Sequence, residues 1–347
     1  MSTLPLTFDA LAVPHAGAPI ARQKRTVTSL AEGELLVRVD FASLNRMDPG
    51  LAARNVFELP EPYVLGFDFS GEVVEAGPGV SALRAGEAVF GRTDRGGCFA
   101  EYVVARAENV LRRGSMPADA ASTYGIAYLT AYESLMLTAK IPEHAGQWLF
   151  IPGAGGGVGH FAAQLARAHG LKVIGSAGKE ASLRVLRELH LEAVVDYAKE
   201  DVIAAVLRLT GGRGAELVYD STYTQSSFEQ SAQVVAAGGD YIRLGTEQQL
   251  STRGARDMSS VVEARGAKLV VADLGRYGRE PRYQARMPEV MEGQQRPLAW
   301  YDEGKVRPVI TGTVPFEAAA LQRAFEDFFR GTTNVGKVVV DCRTRRS

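Results

Sequence analysis

Cysteine is scarce in this chain: Cys98 and Cys342 are the only two among 347 residues. Two thiols cannot build a disulfide framework or a four-thiolate structural zinc site, and a reducing, cytoplasmic setting is the expectation. Histidine is nearly as scarce. His15, His144, His160, His169 and His190 make up the set, and no two stand four residues apart. None has the spacing of a ligand pair, so no metal is expected. An excess of one charge is also missing, since 39 Lys plus Arg against 40 Asp plus Glu leave a net charge of -1. A binder of nucleic acid or of an anionic membrane would show a basic surplus. A small-molecule partner is expected instead. No apolar run approaches the roughly 20 residues of a membrane-spanning helix. Residues 1–19 lack a basic start followed by an apolar run, so they do not read as a signal peptide. Arg343, Arg345 and Arg346 read as a solvated tail.

What the chain has in quantity is glycine, 37 residues gathered at informative places. At about 150 residues per domain the length suggests two domains. The first region breaks into short strands at 34–41, 70–75, 88–91 and 99–104. Turn signals such as Ala76-Gly77-Pro78-Gly79 and Arg95-Gly96-Gly97 separate them. Such a pattern reads as a compact β-rich domain. The second region alternates. Strands at 147–151, 171–175, 193–195, 216–219, 240–244 and 268–272 are interleaved with helices at 181–189, 201–209 and 228–236. A further helix carries Val158, Phe161, Ala162 and Leu165 on one face. Six strands alternating with helices imply parallel crossovers and a doubly wound sheet. The third region has a helical stretch at 288–303, a strand at 308–313, a helix at 316–330 and a last strand at 335–340. Pro315 and Gly331 punctuate that last helix. Residues 276–286 read as a polar, basic loop.

The strongest local signal is Gly153-Ala154-Gly155-Gly156-Gly157-Val158-Gly159, which follows a predicted strand and opens a predicted helix. Glycines let the chain turn sharply and let backbone amides approach a ligand. The helix start adds free N–H groups and a positive dipole end. In this strand–loop–helix setting the loop reads as a pyrophosphate site for a dinucleotide. Cofactor choice turns on the end of the next strand, Val173-Ile174-Gly175-Ser176-Ala177-Gly178-Lys179. No carboxylate precedes Glu180 to hold the ribose hydroxyls as in an NAD site. Ser176 and Lys179 suit a 2′-phosphate, so NADP(H) is expected. The alternative gives the ribose to Glu180 and leaves Lys179 in solvent.

Taken together, VRVDFASLNRMD at 37–48, LGFDFSGEVVEAGPGV at 65–80, RGGCFAEYVV at 95–104 and IAYLTAYESL at 126–135 resemble the medium-chain dehydrogenase/reductase superfamily. KVIGSAGKE at 172–180, ITGTVPFEAA at 310–319 and NVGKVVV at 334–340 extend the likeness, which points to the zinc-independent quinone oxidoreductase and enoyl reductase branch. The resemblance implies an α/β fold: a GroES-like β-rich catalytic domain from residues 1–122 and 275–347, and a Rossmann domain with a doubly wound, parallel six-stranded sheet from 123–274. It implies a substrate held between the domains over the nicotinamide, and a homodimer through the edge strand 268–272. Zinc-dependent relatives carry cysteine where this chain has Asn45 and histidine where it has Phe67, which again implies no metal.

By the same resemblance Asn45 lines the nicotinamide pocket and is the first catalytic candidate. Thr130 lies near the pyrophosphate, and Gly155, Gly156, Gly157 and Val158 wrap it. Ser176, Lys179 and Tyr197 surround the adenosine phosphate, although many relatives carry lysine at the place of Ser182. Gly245 backs the nicotinamide, and Asn334 and Lys337 close the site. The implied reaction is NADPH-dependent hydride transfer to a quinone or an α,β-unsaturated carbonyl. Alternatives are an enoyl-thioester reductase of fatty-acid or polyketide assembly, and an NADPH-binding protein without turnover. Enoyl reductases of the family carry a proton-donating tyrosine where this chain has Phe57, and Tyr63 is the candidate replacement. Phe57, Tyr63, Phe67 and Tyr128 are the expected pocket lining. Asp48 reads as a partner for backbone amides near Asn45, and Tyr223 stands where relatives usually have glycine.

Overall fold

A computed structural model describes residues 3–245, 259–331 and 335–343. The chain divides into two compact units. One comprises Met1–Ala127, Gln294–Glu303 and Ile310–Ser347, the other Tyr128–Gly293 and Gly304–Val309. Residues 275–293 therefore group with the second unit.

The first unit is the β-rich, GroES-like one. Its long strand Glu34–Ser43 pairs with Asp68–Ala76 on one side, and with Tyr102–Arg106 and Lys337–Asp341 on the other. Ile310–Pro315 extends the sheet at one end, and Ala88–Arg92 with Val110–Arg112 at the other. A smaller sheet contains Ala21–Val27, Leu6–Val13 and Tyr63–Val64. Leu11, Leu35, Val37, Phe69 and Phe99 pack in one core shared by both sheets. The strands Leu6–Val13 and Ala21–Val27 carry no clean apolar alternation, because charged residues interrupt them. Those charges pair across the hairpin, Asp9 with Arg22 at 3.1 Å and with Lys24 at 2.9 Å.

The second unit holds the expected six-stranded sheet. Its order is Ala193–Asp196, Lys172–Ala177, Trp148–Pro152, Ala215–Asp220, Val235–Leu244 and Lys268–Ala272, all parallel. The central strands are short apolar runs, buried on both faces as a covered parallel sheet requires. Helix Gly159–Ala168 lies against them with Phe161, Ala162 and Leu165 buried, the face its spacing foretold. Asp201 caps Val202–Leu209 by accepting from the Ala204 amide at 2.7 Å. Among the described residues no helix is long and apolar enough to cross a membrane.

Two sequence expectations need correction. The helix expected at 228–236 is Gln225–Ser231, and the next strand starts at Val235. Val234 and Val235 are fully buried β-branched residues that continue the helix's apolar pattern, so periodicity alone could not mark its end. The loop expected at 276–286 contains two short helices, Arg276–Arg279 and Pro281–Gln284. Proline at a first helical position is preorganised, and Pro281 opens the second of them.

Gly71 marks the tightest approach in the first unit. A Cβ built there would lie 1.9 Å from the Arg38 carbonyl oxygen, beside a register irregularity in the strand pairing. Gly71→Ala must push two central strands apart. It should cost about 3 kcal/mol or more, as overpacking at unyielding backbone does. Urea denaturation of the two proteins checks this, and a difference under about 0.5 kcal/mol, the range of ordinary surface changes, would refute the constraint.

Candidate functional site

In the second unit the glycine loop joins strand Trp148–Pro152 to helix Gly159–Ala168. Gly153 holds φ at +63°, the left-handed turn that glycine permits. A Cβ on Gly155 would stand 3.0 Å from the Ser182 side chain, and one on Gly159 would stand 2.8 Å from the Gly153 carbonyl. Gly156, Gly157 and Val158 stay half-buried, and no side chain caps the helix. The loop therefore presents backbone N–H groups and the positive end of a helix dipole to an anion.

At the end of the next strand Ser176 is buried and Lys179 is exposed. Gly178 has no room for a side chain: a Cβ there would come within 1.9 Å of the Tyr197 ring. That ring lies flush on the backbone while remaining 54% exposed, a flat apolar surface at the strand end. Gly245 takes φ of +94° at the end of Val235–Leu244 and donates to the Ala272 carbonyl at 2.9 Å. Tyr223 adopts φ of +59°, a left-handed backbone that favours glycine. These backbone features fit a dinucleotide. Asn334 lies outside the described residues.

Thr130 sits buried in helix Ile126–Tyr132, and its carbonyl accepts from the Ser134 hydroxyl at 2.7 Å. The chain then winds into a π-helical segment, Glu133–Thr138. Such segments are rare and recur at functional sites. Glu133 is buried there, with Oε1 accepting from Thr138 at 2.6 Å and Oε2 unpartnered. Composition gave no hint of this group. Tyr128, expected in the pocket, is fully buried between Tyr132 and Phe161, and its hydroxyl donates to the Gly293 carbonyl at 3.1 Å. It is a core residue of this unit.

In the first unit, Asn45 lies at the centre of a buried polar cluster. Its Nδ2 donates to Asp68 Oδ2 at 2.8 Å, and its Oδ1 accepts from Lys337 Nζ at 2.7 Å. Lys337 also donates to the Leu44 carbonyl at 2.8 Å, and its Nζ lies 3.9 Å from Asp68. Lys337 is 2% exposed. Its ammonium is thus engaged within the protein by Asn45, Leu44 and Asp68. Asp68 accepts further bonds from the Ser43 hydroxyl and the Ile126 amide, at 2.9 and 2.7 Å. Asp48 accepts from the Asn45 and Gly66 amides at 2.7 and 3.0 Å, the structural role its sequence setting suggested. Burial pushes the Asp48 carboxyl up to about 7 and the Asp68 carboxyl upward, while the Lys337 ammonium opposes both shifts. Burial also lowers the Lys337 pKa, against the pull of the two carboxylates.

Tyr63 is likewise engaged within its own unit. Its hydroxyl faces the Leu51 and Ala52 carbonyls at 3.1 and 3.2 Å, and its single proton is committed to them. It anchors the end of helix Met47–Arg54 and is not a free proton donor. Phe57 is 47% exposed and meets the edge of the buried Phe67 ring. A signal for the missed partners existed. Asp68 stands between Phe67 and Phe69, and a charge buried among such residues requires a partner.

Comparison with known proteins agrees with this architecture. A family model described as "Alcohol dehydrogenase GroES-like domain" matches residues 31–117, and one described as "Zinc-binding dehydrogenase" matches residues 157–292. A quinone oxidoreductase of Lama guanicoe is 26% identical over 345 residues, covering 98% of this chain and 99% of that protein. The trans-enoyl reductase pgmF of Aspergillus terreus is 27% identical over 326 residues, covering 90% and 87%. A solved alcohol dehydrogenase superfamily protein from Novosphingobium aromaticivorans is 24% identical with a TM-score of 0.82, covering 96% of this chain and 99% of that one.

The buried Glu133 gives a signed pH test. Burial pushes its carboxyl up to about 7, against about 4.3 in an unfolded chain. The folded state thus holds the proton more tightly. The stability this contributes is full below about pH 4 and is lost as pH rises to about 7. Glu133→Gln cannot ionise. It should match the parent near pH 4.5 and exceed it by about 1–3 kcal/mol at pH 8. Urea melts at the two values check this, and an equal difference at both would sink it.

Proposed function

The chain belongs to the medium-chain dehydrogenase/reductase superfamily, in its quinone oxidoreductase branch, and from that premise we propose an NADPH-dependent, zinc-independent hydride transfer to a quinone or an α,β-unsaturated carbonyl. The observation that carries this reading is the glycine loop opening onto the helix Gly159–Ala168, where a Cβ at Gly155 or Gly159 would crowd its neighbours and no side chain caps the first-turn amides. There Gly155, Gly156, Gly157 and Val158 would hold the pyrophosphate. The exposed Lys179 would take the 2′-phosphate, with Tyr197 beside the adenosine and Gly245 beside the nicotinamide.

Hydride and its electron pair come from the dihydronicotinamide C4 when that cofactor is bound. The protein's part is placement and exclusion of water. Asn45 supplies a held amide N–H to the acceptor's oxygen, where negative charge develops. With the Tyr63 and Tyr128 hydroxyls committed to carbonyls, the proton that completes reduction comes from water. That suits a quinone, whose product oxygen is protonated readily by solvent. Zinc independence is supported by the residues themselves. Asn45 has its amide engaged by Lys337 and Asp68, and Phe67 offers no donor atom.

Lys268–Ala272 ends its sheet with partly exposed Leu269, Val270 and Val271, a strand edge that favours pairing with a second copy. The two cysteines are unpaired and buried, which supports a reducing, cytoplasmic setting.

The test is titration with NADPH and NADH separately, followed by nicotinamide fluorescence, then addition of 1,4-naphthoquinone or crotonyl thioester. Tight NADPH binding and oxidation by the quinone are expected. Oxidation by the thioester alone would favour enoyl reduction, and binding without oxidation a non-catalytic role. Lys179→Ala should weaken NADPH roughly tenfold, the value of one charge-assisted hydrogen bond, and leave NADH unchanged. Equal weakening of both would remove Lys179 from the phosphate site.

A further inference from the structure

We infer that Lys337 and Asp68 are positioning residues that lock the Asn45 carboxamide in one orientation, so that it meets the acceptor as a fixed N–H donor. The inference rests on the hydride-transfer reading above. It follows from donor chemistry. An ammonium only donates and an ionised carboxylate only accepts. Lys337 Nζ lies 2.7 Å from Asn45 Oδ1, and Asp68 Oδ2 lies 2.8 Å from Asn45 Nδ2. A flipped amide would set N–H against the ammonium and C=O against the carboxylate, two repulsive contacts in place of two bonds. The orientation of this amide is therefore dictated by its neighbours.

The neighbours are themselves fixed. Asp68 is held by Ser43 and by the Ile126 amide. A Cβ on Gly125 would lie 2.1 Å from Asp68 Oδ1, so the backbone is packed directly against the carboxylate. The Leu44 carbonyl holds Lys337, and Asp48 holds the Asn45 backbone amide. Of the amide's two hydrogens and two lone pairs, one of each is committed. The cation at Oδ1 also draws electron density from the nitrogen and strengthens the remaining N–H as a donor. Lys337, 2% exposed, thus acts through Asn45.

A double-mutant cycle with NADPH and 1,4-naphthoquinone tests this. Lys337→Met should lower kcat by about a hundredfold, the loss expected of a misplaced catalytic group. KM for NADPH should change less than about threefold, and the isotope effect with 4-deuterated NADPH should rise, since only the transition state is affected. Asn45→Ala should cost the same. The double variant should be no more than about twofold worse than either, because both changes remove one unit. Losses that multiply would overturn the inference, as would a raised KM with kcat intact.

Lys337→Met leaves Asp68 charged and alone and can unfold the unit. Lys337→Met/Asp68→Asn removes both charges together, and thermal melting reports whether it folds. If neither the quinone nor the thioester is reduced by NADPH on the unsubstituted protein, the hydride-transfer reading fails, and the lock is judged by NMR. Asn45 side-chain N–H signals that lie far from those of a free carboxamide and return toward them in the charge-free variant support it. Unchanged signals overturn it.

Discussion

A cation buried between carboxylates governs the first unit. An ammonium and two carboxyl groups out of water are costly unless each finds partners, and partners must sit within hydrogen-bond distance. Here Lys337, Asp68 and Asp48 meet that demand with Asn45, Ser43, Leu44, Gly66 and Ile126. Removing one member leaves another charge stranded, so the cluster constrains several backbone segments at once. The glycine at 125, packed directly against the Asp68 carboxylate, is a consequence of the same requirement.

The second unit meets a different constraint. Its sheet is parallel and covered, so helices must return between strands and ligands are confined to the strand ends. Glycine supplies the space there. At 153, 155, 159 and 178 the backbone is either turned left-handed or packed so closely that a Cβ would collide. One unit is organised by charge that must be paired, the other by side chains that must be missing.

These two kinds of constraint explain what was legible in the sequence. The alternation of strands and helices, the buried face of helix Gly159–Ala168 and the glycine loop all follow local periodicity or spacing, and each appears as read. The hairpin Leu6–Val13 with Ala21–Val27 escaped because its charges pair only after the strands meet. The end of the helix before Val235 escaped because its apolar pattern runs on into a strand. Among the candidate site residues, the commitments of Tyr63, Tyr128 and Lys337 could not be read. A hydroxyl or an ammonium looks available in a sequence, and only the fold shows that its protons are already spent. Asp68 and Glu133 were missed for the converse reason, since burial alone makes them notable.

Lys337 stands 292 residues after the asparagine it contacts, on the strand that closes the first unit's large sheet. The ribosome therefore releases the beginning of this unit long before its end exists. The second unit is nearly contiguous in sequence, and domains tend to fold as they emerge. During synthesis the middle of the chain can reach its final form while the earlier segment waits, its aspartates still in water. Assembly of the first unit is thus a late event, completed when the last strand delivers the cation that its carboxylates require.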